Sequence, residues 1–374
     1  MKYYIIAGEA SGDLHGSSLM KEIRKLDANA QFRCWGGDMM QSTGGNVVKH
    51  YRDLNFMGFA EVVKNLPAIF DNLRFCKRDI KEFSPDVLVL IDYPGFNLRI
   101  AKWAKANHFR VVYYISPQVW AWKASRVKLI KKTVDKMLVI LPFEKEFYRL
   151  RSYKVEYVGH PLVQVANEFT EQNTFTIHYS KPVIALLPGS RKQEVAKKLP
   201  IMLESTKAFS EYQFVIAKAA SLEDEFYERY LKKFPEVLSV RNLTYTLLSQ
   251  ATAALVTSGT ATLETALFGV PQIVCYKTSA ISYHIAKRLI KTKYISLVNL
   301  IMNKPVVTEL IQHQLTVKNL SKELKNLLSN NYRMQKMKED YQTLKNLLQQ
   351  EESASKRAAE IIFQSVRTTS SEKV

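Results

Sequence analysis

Short apolar runs, each followed by a loop rich in glycine, proline, serine or aspartate, restrict the fold of this chain more than any other feature. The run Val87–Ile91 contains no polar residue, which is typical of a strand buried on both faces of a parallel sheet. The first run ends at the glycine turn of residues 8–13, and Leu19, Ile23 and Leu26 then recur at helical spacing. Strands that alternate with helices in this way predict a doubly wound α/β fold.

The same alternation restarts after a polar, aperiodic segment at residues 166–180, which indicates a linker. At 374 residues, the chain also exceeds the roughly 250–300 residues that one hydrophobic core supports. We therefore expect two Rossmann-like, parallel-sheet domains facing a cleft, at residues 1–168 and 169–345. Residues 346–374 are expected to form a carboxyl-terminal helix and tail that packs on the first domain or on a partner subunit.

The charge balance predicts an anionic partner. The formal net charge is +19 and the sequence pI is about 9.6, so nucleic acid, an anionic membrane and phosphorylated substrates are all candidates. The sequence has no zinc-finger spacing, RNP-type motif or arginine-rich tail, which argues against nucleic acid. A general use of lysine on solvated faces is the alternative explanation.

The cysteines and the amino terminus predict a cytoplasmic protein. Cys34, Cys76 and Cys275 are far apart and have no companion histidines at metal-ligand spacing, so we expect buried thiols in a reducing compartment. The first apolar run is too short for a signal peptide. No apolar stretch reaches the roughly 18–20 residues of a spanning helix.

Ligands of open parallel sheets bind beyond the carboxyl ends of the strands, so residues directly after strands are the candidate site. Asp92 follows an entirely apolar strand, where its carboxylate can have a raised pKa and accept a proton from a hydroxyl group. A capping role for Asp92 is equally open.

Ser11 lies in the first glycine turn, whose amides can receive an anion or a sugar hydroxyl, although a purely structural turn remains the alternative. Trp120 and Trp122 precede a basic segment and suit a sugar face, a base or an interface, or they simply pack on a solvated basic helix.

The second half has two loops of the kind that binds phosphate. Arg191 follows a strand and offers a guanidinium group that matches phosphate oxygens. Ser258, Gly259 and Thr260 form a turn that opens a helix, where free amides can hold a diphosphate and Glu264 can accept hydrogen bonds from ribose hydroxyls. An ordinary Ser/Thr cap is the alternative, but two such loops without a nicotinamide motif favour a sugar nucleotide over NAD.

Six apolar residues recur at helical spacing with basic residues among and after them, which predicts an amphipathic basic helix. Such a helix can enter a membrane interface or contact acyl chains. A helix that faces the core is the commoner explanation, but the excess of positive charge favours the interface. The six residues are Phe59, Val62, Val63, Leu66, Phe70 and Leu73.

Ten segments form an ordered series through both predicted domains. They are GEASGDLHG, WGGDMM, FMGFAEV, LIDYPGFN, YYISPQVWAW, LPFEKEFY, YVGHPL, LLPGSRKQEV, TSGTATLE and AKRLIKTKYISLVNLI. Together they resemble the lipid-A-disaccharide synthases of Gram-negative bacteria. No motif of this kind is recognisable at residues 166–180 or beyond residue 347.

The resemblance implies a GT-B glycosyltransferase whose first domain binds the acceptor and whose second domain binds the UDP-sugar. The implied reaction joins UDP-2,3-diacylglucosamine to 2,3-diacylglucosamine 1-phosphate, with inversion, to form a β-1,6-linked disaccharide and UDP. It implies no metal ion and no other cofactor. It also implies a peripheral position on the inner membrane, and a homodimer that exchanges carboxyl-terminal regions is one possible assembly.

Site residues follow from the same resemblance by position. Asp92 matches the essential aspartate of the family and is the candidate general base for the 6-hydroxyl of the acceptor, while the apolar set from Phe59 to Leu73 matches a patch for membrane or acyl contact. The matched nucleotide-site and cleft residues are Ser11, Arg191, Ser258, Gly259, Thr260, Glu264 and Asn299.

Two other functions fit parts of this pattern. A UDP-sugar 2-epimerase uses the same two-domain architecture, but it acts on a soluble sugar and needs no amphipathic basic helix. A non-catalytic protein that binds nucleotide or nucleic acid would hold its ligand without turnover, and a steep dependence of its affinity on salt would support that reading. The ordered series of motifs argues against both.

Overall fold

The computed structural model describes residues 1–54, 66–122, 124–172, 175–279, 283, 287–288 and 292–370. The chain forms two compact units, one of Met1–Pro161 with Gln350–Val374 and one of Leu162–Gln349. The division falls seven residues before the predicted boundary at residues 168 and 169. The reason is that a helix starts at Pro161 and runs through the beginning of the polar segment to Gln172.

The first unit contains a seven-stranded sheet in the order β3-β2-β1-β4-β5-β6-β7, with every neighbouring pair parallel. Its strands are β1 Lys2–Ala7, β2 Gln31–Gly36, β3 Asn46–His50, β4 Val87–Ile91, β5 Val111–Tyr114, β6 Lys136–Val139 and β7 Glu156–Tyr157. Its helices up to residue 149 are α1 Ala10–Leu26, α2 Asp38–Ser42, α3 Leu66–Phe83, α4 Pro94–Ala106, α5 Val127–Thr133 and α6 Pro142–Arg149, with 3-10 turns at Tyr51–Leu54 and Ala124–Arg126.

The second unit contains a six-stranded parallel sheet in the order β10-β9-β8-β11-β12-β13. Its strands are β8 Val183–Leu187, β9 Gln213–Lys218, β10 Leu238–Arg241, β11 Ala251–Thr257, β12 Gln272–Tyr276 and β13 Thr308–Ile311. Its helices are α7 Pro161–Gln172, α8 Lys192–Thr206, α9 Asp224–Leu231, α10 Thr244–Gln250, α11 Thr260–Leu267, α12 Leu297–Met302, α13 Val317–Ser329 and α14 Asn331–Leu348, with a 3-10 turn at Gln312–Gln314.

The carboxyl-terminal helix α15, Ala354–Ser370, returns to the first unit and contacts α1. Its small and apolar residues Ala358, Ala359 and Ile362 are fully buried. They recur at spacings of one and three residues, so one face of the helix is apolar and packs inward. The last segment of the chain is therefore part of the core of the first unit.

The strand order reverses once in each sheet, and this reversal positions the candidate site. In the first sheet the reversal lies between β1 and β4, and in the second it lies between β8 and β11. The loops after these strands diverge to opposite faces of the sheet and leave a crevice at its carboxyl edge. The predicted class, two doubly wound parallel-sheet domains, is confirmed, and the predicted site loops follow strands at these two reversals.

The predicted amphipathic patch is described only in part. Phe59, Val62 and Val63 and the side chain of Leu66 lie outside the described residues. Phe70, on α3, is 58% exposed, whereas Leu73 is 7% exposed and packs into the core. Leu73 lies on the apolar face of α3 that covers the sheet, so its placement differs from the predicted exposed patch.

Among the described residues, the structure contains no helix that combines the length and the hydropathy needed to cross a bilayer.

Candidate active site

Asp92 lies at the carboxyl end of β4 in a backbone conformation that neighbouring side chains hold in place. Asp92 and Tyr93 both adopt left-handed conformations, with φ of 43° and 49°, which costs about 1–2 kcal/mol for each non-glycine residue. The carbonyl oxygen of Asp92 accepts hydrogen bonds from Tyr113 Oη at 2.5 Å and from Asn97 Nδ2 at 2.8 Å. These donors compensate for the strain and hold the backbone from which the Asp92 carboxylate extends.

The surroundings of Asp92 favour its protonated form. Burial raises the pKa of Asp92 to about 7, and the nearby Glu9 carboxylate adds to the effect. The side chain nevertheless remains partly accessible to solvent. Tyr93, not Asp92, occupies the N-cap position of α4, so Asp92 is not the cap of that helix. A carboxylate with a pKa near 7 at an accessible loop can exchange a proton with a bound hydroxyl group.

The glycine turn after β1 combines an anchoring carboxylate with an accessible serine. Asp13 is buried and accepts hydrogen bonds from the backbone N–H groups of Gly37 at 2.7 Å, Met39 at 3.1 Å and Met40 at 3.0 Å. Its charge is therefore used to hold the amino end of α2. Ser11 is exposed in the first turn of α1, where it can meet a ligand of the first unit.

Two buried histidines of the first unit contribute no positive charge near neutral pH. Burial lowers the pKa of His15 to about 4. It lowers the pKa of His160 to about 3, with a further contribution from His15. Both imidazoles are therefore neutral at pH 7.

The loop after β5 is held by a buried glutamate that the sequence did not single out. Glu144 accepts hydrogen bonds from the indole of Trp120 at 3.2 Å and from the backbone of Leu141 at 3.0 Å, and burial raises its pKa to about 8. Trp120 is thereby packed, whereas Trp122 is 39% exposed and lies 5.4 Å from the guanidinium group of Arg126. Of the two tryptophans, Trp122 is the one placed to contact a ligand.

Two glycine turns of the second unit lie side by side, because β8 and β11 are neighbouring parallel strands. Gly189 and Gly259 have φ of 121° and 112°, a region that glycine adopts without strain. Arg191 forms the N-cap of α8, with a side chain 52% exposed and Nη1 at 3.3 Å from Glu194 Oε1. Ser258 is partly exposed and Thr260 is exposed at the start of α11. Amides, hydroxyls and a guanidinium group thus meet at one edge of the sheet, as an anionic ligand requires.

Glu264 lies one turn into α11 beside an aromatic cluster. Tyr245 Oη donates a hydrogen bond to Glu264 Oε1 at 2.8 Å, while burial raises the pKa of Glu264. The Tyr245 ring stacks on Phe268 with centroids 5.3 Å apart. Tyr245 therefore orients the Glu264 carboxylate, leaving its second oxygen as an acceptor for another donor.

The side chain of Asn299 is buried and fully engaged within the second unit. Its Nδ2 donates to the Val307 carbonyl oxygen and to Glu309 Oε1, both at 2.9 Å, and its Oδ1 accepts from the Val307 amide at 2.9 Å. These bonds hold α12 against the segment that leads into β13. The direct nucleotide contact predicted for Asn299 stays a prediction, and the geometry gives its amide a supporting role.

The structure thus gathers the predicted residues into two groups. Asp92 and Ser11 belong to the first unit, and the other predicted polar residues belong to the second. Sequence reasoning missed Glu144, Tyr245 and Lys198, which orient predicted residues or their loops. A signal existed for Lys198, because it occupies an apolar position of α8 between Val195 and Met202.

Solved structures identify the class of protein that this fold and these loops define. The UDP-GlcNAc 2-epimerase of Neisseria meningitidis, solved with UDP-GlcNAc, matches 98% of this chain and 100% of its own, with a TM-score of 0.67 and 14% sequence identity. The glycotransferase of kitacinnamycin matches 98% of this chain and 99% of its own, with a TM-score of 0.66 and 13% identity. At these identities the likeness shows the fold alone. The class is the two-domain GT-B type, which includes both glycosyltransferases and epimerases.

Sequence relatives identify the family within that class. A family model described as lipid-A-disaccharide synthetase matches residues 3–363. The lipid-A-disaccharide synthase of Syntrophus aciditrophicus is 39% identical over 354 residues, which is 92% of this chain and 92% of that protein. The chain belongs to the lipid-A-disaccharide synthase family of glycosyltransferases. The family resemblance is confirmed, and it decides against the epimerase alternative, whose likeness is limited to the fold.

Proposed function

We propose that this protein transfers 2,3-diacylglucosamine from UDP-2,3-diacylglucosamine to 2,3-diacylglucosamine 1-phosphate, forming a β-1,6-linked disaccharide and UDP. The observation that carries the proposal is Asp92, a partly accessible carboxylate on a held backbone, whose pKa is raised to about 7, at the strand-order reversal of the first sheet. A chain of this family needs such a group to remove a proton from the acceptor hydroxyl.

The proposed step is an inverting displacement. The carboxylate of Asp92 accepts the proton of the acceptor 6-hydroxyl. At the same time the oxygen of that hydroxyl bonds to the anomeric carbon of the donor. The bond from that carbon to the diphosphate breaks on the opposite face, and UDP leaves with the electron pair. No covalent intermediate is required, since attack and departure occur on opposite faces of the sugar.

The second unit would bind the nucleotide. Arg191 and the amides at the start of α11, including those of Gly259 and Thr260, would stabilise the negative charge that grows on the departing diphosphate. Ser258 would add a hydroxyl donor. Glu264, oriented by Tyr245 at 2.8 Å, would accept hydrogen bonds from the ribose hydroxyls. Asn299 would support this arrangement from the interior.

We also propose that the protein works as a peripheral protein at the cytoplasmic face of the inner membrane, where its acylated substrates reside. Support comes from Phe70, which is 58% exposed on α3, and from Arg74, whose side chain is 80% exposed one turn later. An exposed apolar side chain suits the surface of a bilayer, and Arg74, which lies 3.1 Å from Asp71, can contact an anionic headgroup. A homodimer is compatible with this role.

The membrane proposal has a matched test. Phe70→Ser should lower the fraction of protein that sediments together with vesicles containing anionic phospholipid. Leu150→Ser, which removes an apolar side chain that is 68% exposed elsewhere on the first unit, should have no such effect. Equal losses in both variants would remove the support that Phe70 gives.

The reaction is tested by measuring UDP release from UDP-2,3-diacylglucosamine in detergent micelles, with and without 2,3-diacylglucosamine 1-phosphate. Acceptor-dependent release together with a disaccharide product is the expected result. Conversion of the UDP-sugar without acceptor would point to epimerase chemistry. A folded protein that binds UDP without turnover would point to a binding role or another acceptor.

A further inference from the structure

Lys198 is a buried cation below the two glycine turns of the second unit. Its side chain is 2% exposed on α8, and its Nζ donates a hydrogen bond to Thr257 Oγ1. Glu194 Oε2 lies 3.9 Å from the same nitrogen. Because an ammonium group loses its hydration on burial, a lysine at a core position is costly unless its charge is used.

The position of Lys198 connects both turns. Thr257 is the last residue of β11 and directly precedes Ser258 and Gly259. The first turn also approaches Lys198 closely at Gly189. A Cβ atom placed on Gly189 would lie 3.4 Å from Lys198 Nζ and 2.8 Å from Glu194 Oε2. Lys198 therefore lies directly under the first turn and is bonded to the strand end that carries the second.

Lys198 and Arg191 both lie close to the carboxylate of Glu194. Glu194 lies 3.3 Å from Arg191 Nη1 and 3.9 Å from Lys198 Nζ. The Cys275 thiol nearby is neutral, because burial raises its pKa to about 12. Burial lowers the pKa of Lys198, Glu194 opposes this shift, and Arg191 adds to it. An anion bound at the turns would oppose the effect of burial and favour the protonated lysine.

We propose that Lys198 is a positioning residue for the donor diphosphate. It joins turn 188–191 to turn 257–260 and provides positive charge from beneath them. This inference rests on the proposed function, since it takes the bound anion to be the diphosphate of the UDP-sugar. Lys198 acts through the turns and not by direct contact with the ligand.

The test compares ligands that differ in charge. Lys198→Met keeps a linear side chain and removes the charge, and Lys197→Met is the control on the neighbouring, partly exposed lysine. In Lys198→Met we expect the affinity for UDP to fall roughly tenfold or more, as for the loss of a charge-assisted interaction. The affinity for uridine should be nearly unchanged, and Lys197→Met should retain both affinities. The thermal midpoint should not fall, because an apolar side chain replaces a buried charge.

Two outcomes would overturn the inference: an unchanged affinity for UDP in Lys198→Met, or equal losses for UDP and uridine, which would indicate only a structural role. If Lys198→Met does not fold, Thr257→Val removes the acceptor of the ammonium and supports the same comparison. A UDP-to-uridine affinity ratio as in the wild type would then contradict the inference. Failure of the wild-type protein to bind UDP would instead refute the proposed function.

Discussion

The two units share a doubly wound, parallel-sheet architecture but differ in the ionisable residues at the reversals of strand order. In the first unit, Asp92 lies near Glu9, and the buried histidines are neutral. In the second unit, Arg191 and Lys198 lie 3.3 Å and 3.9 Å from the carboxylate of Glu194. The comparison shows that the scaffold supplies a crevice, while a few loop residues decide which chemistry it serves.

This difference divides the proposed reaction between the units. A carboxylate with a raised pKa is suited to removing a proton, and cations with free backbone amides are suited to holding a diphosphate. If the division is correct, substitutions in the first unit should affect turnover and its pH dependence. Substitutions in the second unit should affect affinity for the nucleotide.

The largest expected effect is that of Asp92→Asn. Loss of the proton acceptor should lower turnover by about 100- to 10,000-fold, the usual contribution of general base catalysis. UDP affinity, measured by isothermal titration calorimetry, should stay nearly unchanged. Asp86→Asn is the control, because Asp86 lies at the amino end of the same strand and accepts a hydrogen bond from the Lys2 amide at 2.7 Å. Near-normal turnover in Asp92→Asn would exclude the base role.

Stability provides an independent check on the same variant. The pKa of Asp92 is raised from 3.8 to about 7 in the folded protein, so folding favours the protonated form and ionisation weakens the fold as the pH rises through that range. Asparagine removes this penalty. At pH 8 the free energy of unfolding should therefore increase by roughly 1–2 kcal/mol. The full shift would give more, but Asp92 is partly accessible and solvent screens its charge. If Asp92→Asn is instead less stable than the wild type, its lost turnover is explained by damage to the fold.

The pH profile of kcat/KM should show the next largest effect. Since Asp92 must be ionised to accept a proton and its pKa is about 7, kcat/KM should fall tenfold per pH unit below that value. The rate at pH 5 should be about 100-fold below the plateau. This acidic limb should be absent from the residual activity of Asp92→Asn. A midpoint near 4 would show that the burial of Asp92 does not govern its ionisation in the working enzyme.

Arg191→Ala should produce the opposite pattern to Asp92→Asn. Removing the guanidinium group should weaken UDP binding roughly 10- to 30-fold. This is the lower end of the range of about 1.5–3 kcal/mol for a charge-assisted hydrogen bond, because the Arg191 side chain is 52% exposed. The midpoint of the pH profile should not move, because burial and Glu9 raise the pKa of Asp92 and Arg191 is not among the causes of that shift. Unchanged affinity for UDP, measured by calorimetry, would mean that the nucleotide site is misplaced.

The sequence was sufficient to predict a parallel sheet in each domain and the loops that follow its central strands. An apolar run such as Val87–Ile91 and a glycine turn such as that at Gly259 are local patterns, and each reports directly on the conformation of its own segment. Parallel strands then bring such loops to a common edge. Asp92 could be placed for the same reason, as the first polar residue after a buried strand.

The roles of individual side chains depend on contacts between distant segments, and the sequence could not predict them. Leu73 matched the pattern of an exposed patch but packs in the core. Asn299 matched a nucleotide-site position, yet its side chain is bonded to Val307 and Glu309. The sequence does not reveal the bond between Lys198 and Thr257, because the two residues are 59 positions apart.

The smallest predicted effect concerns the orientation of Glu264. Tyr245→Phe removes the hydroxyl that donates to Glu264 at 2.8 Å but retains the ring that stacks on Phe268. Without this donor the buried carboxyl group is more readily protonated and less well oriented, so affinity for UDP should fall about threefold, as for one modest hydrogen bond. The loss should vanish for a UDP analogue without ribose hydroxyls. An equal loss for that analogue would indicate that Tyr245 supports the diphosphate turns and not the ribose contact. The second unit would then recognise UDP through the charge of its diphosphate, without a contribution from the ribose hydroxyls.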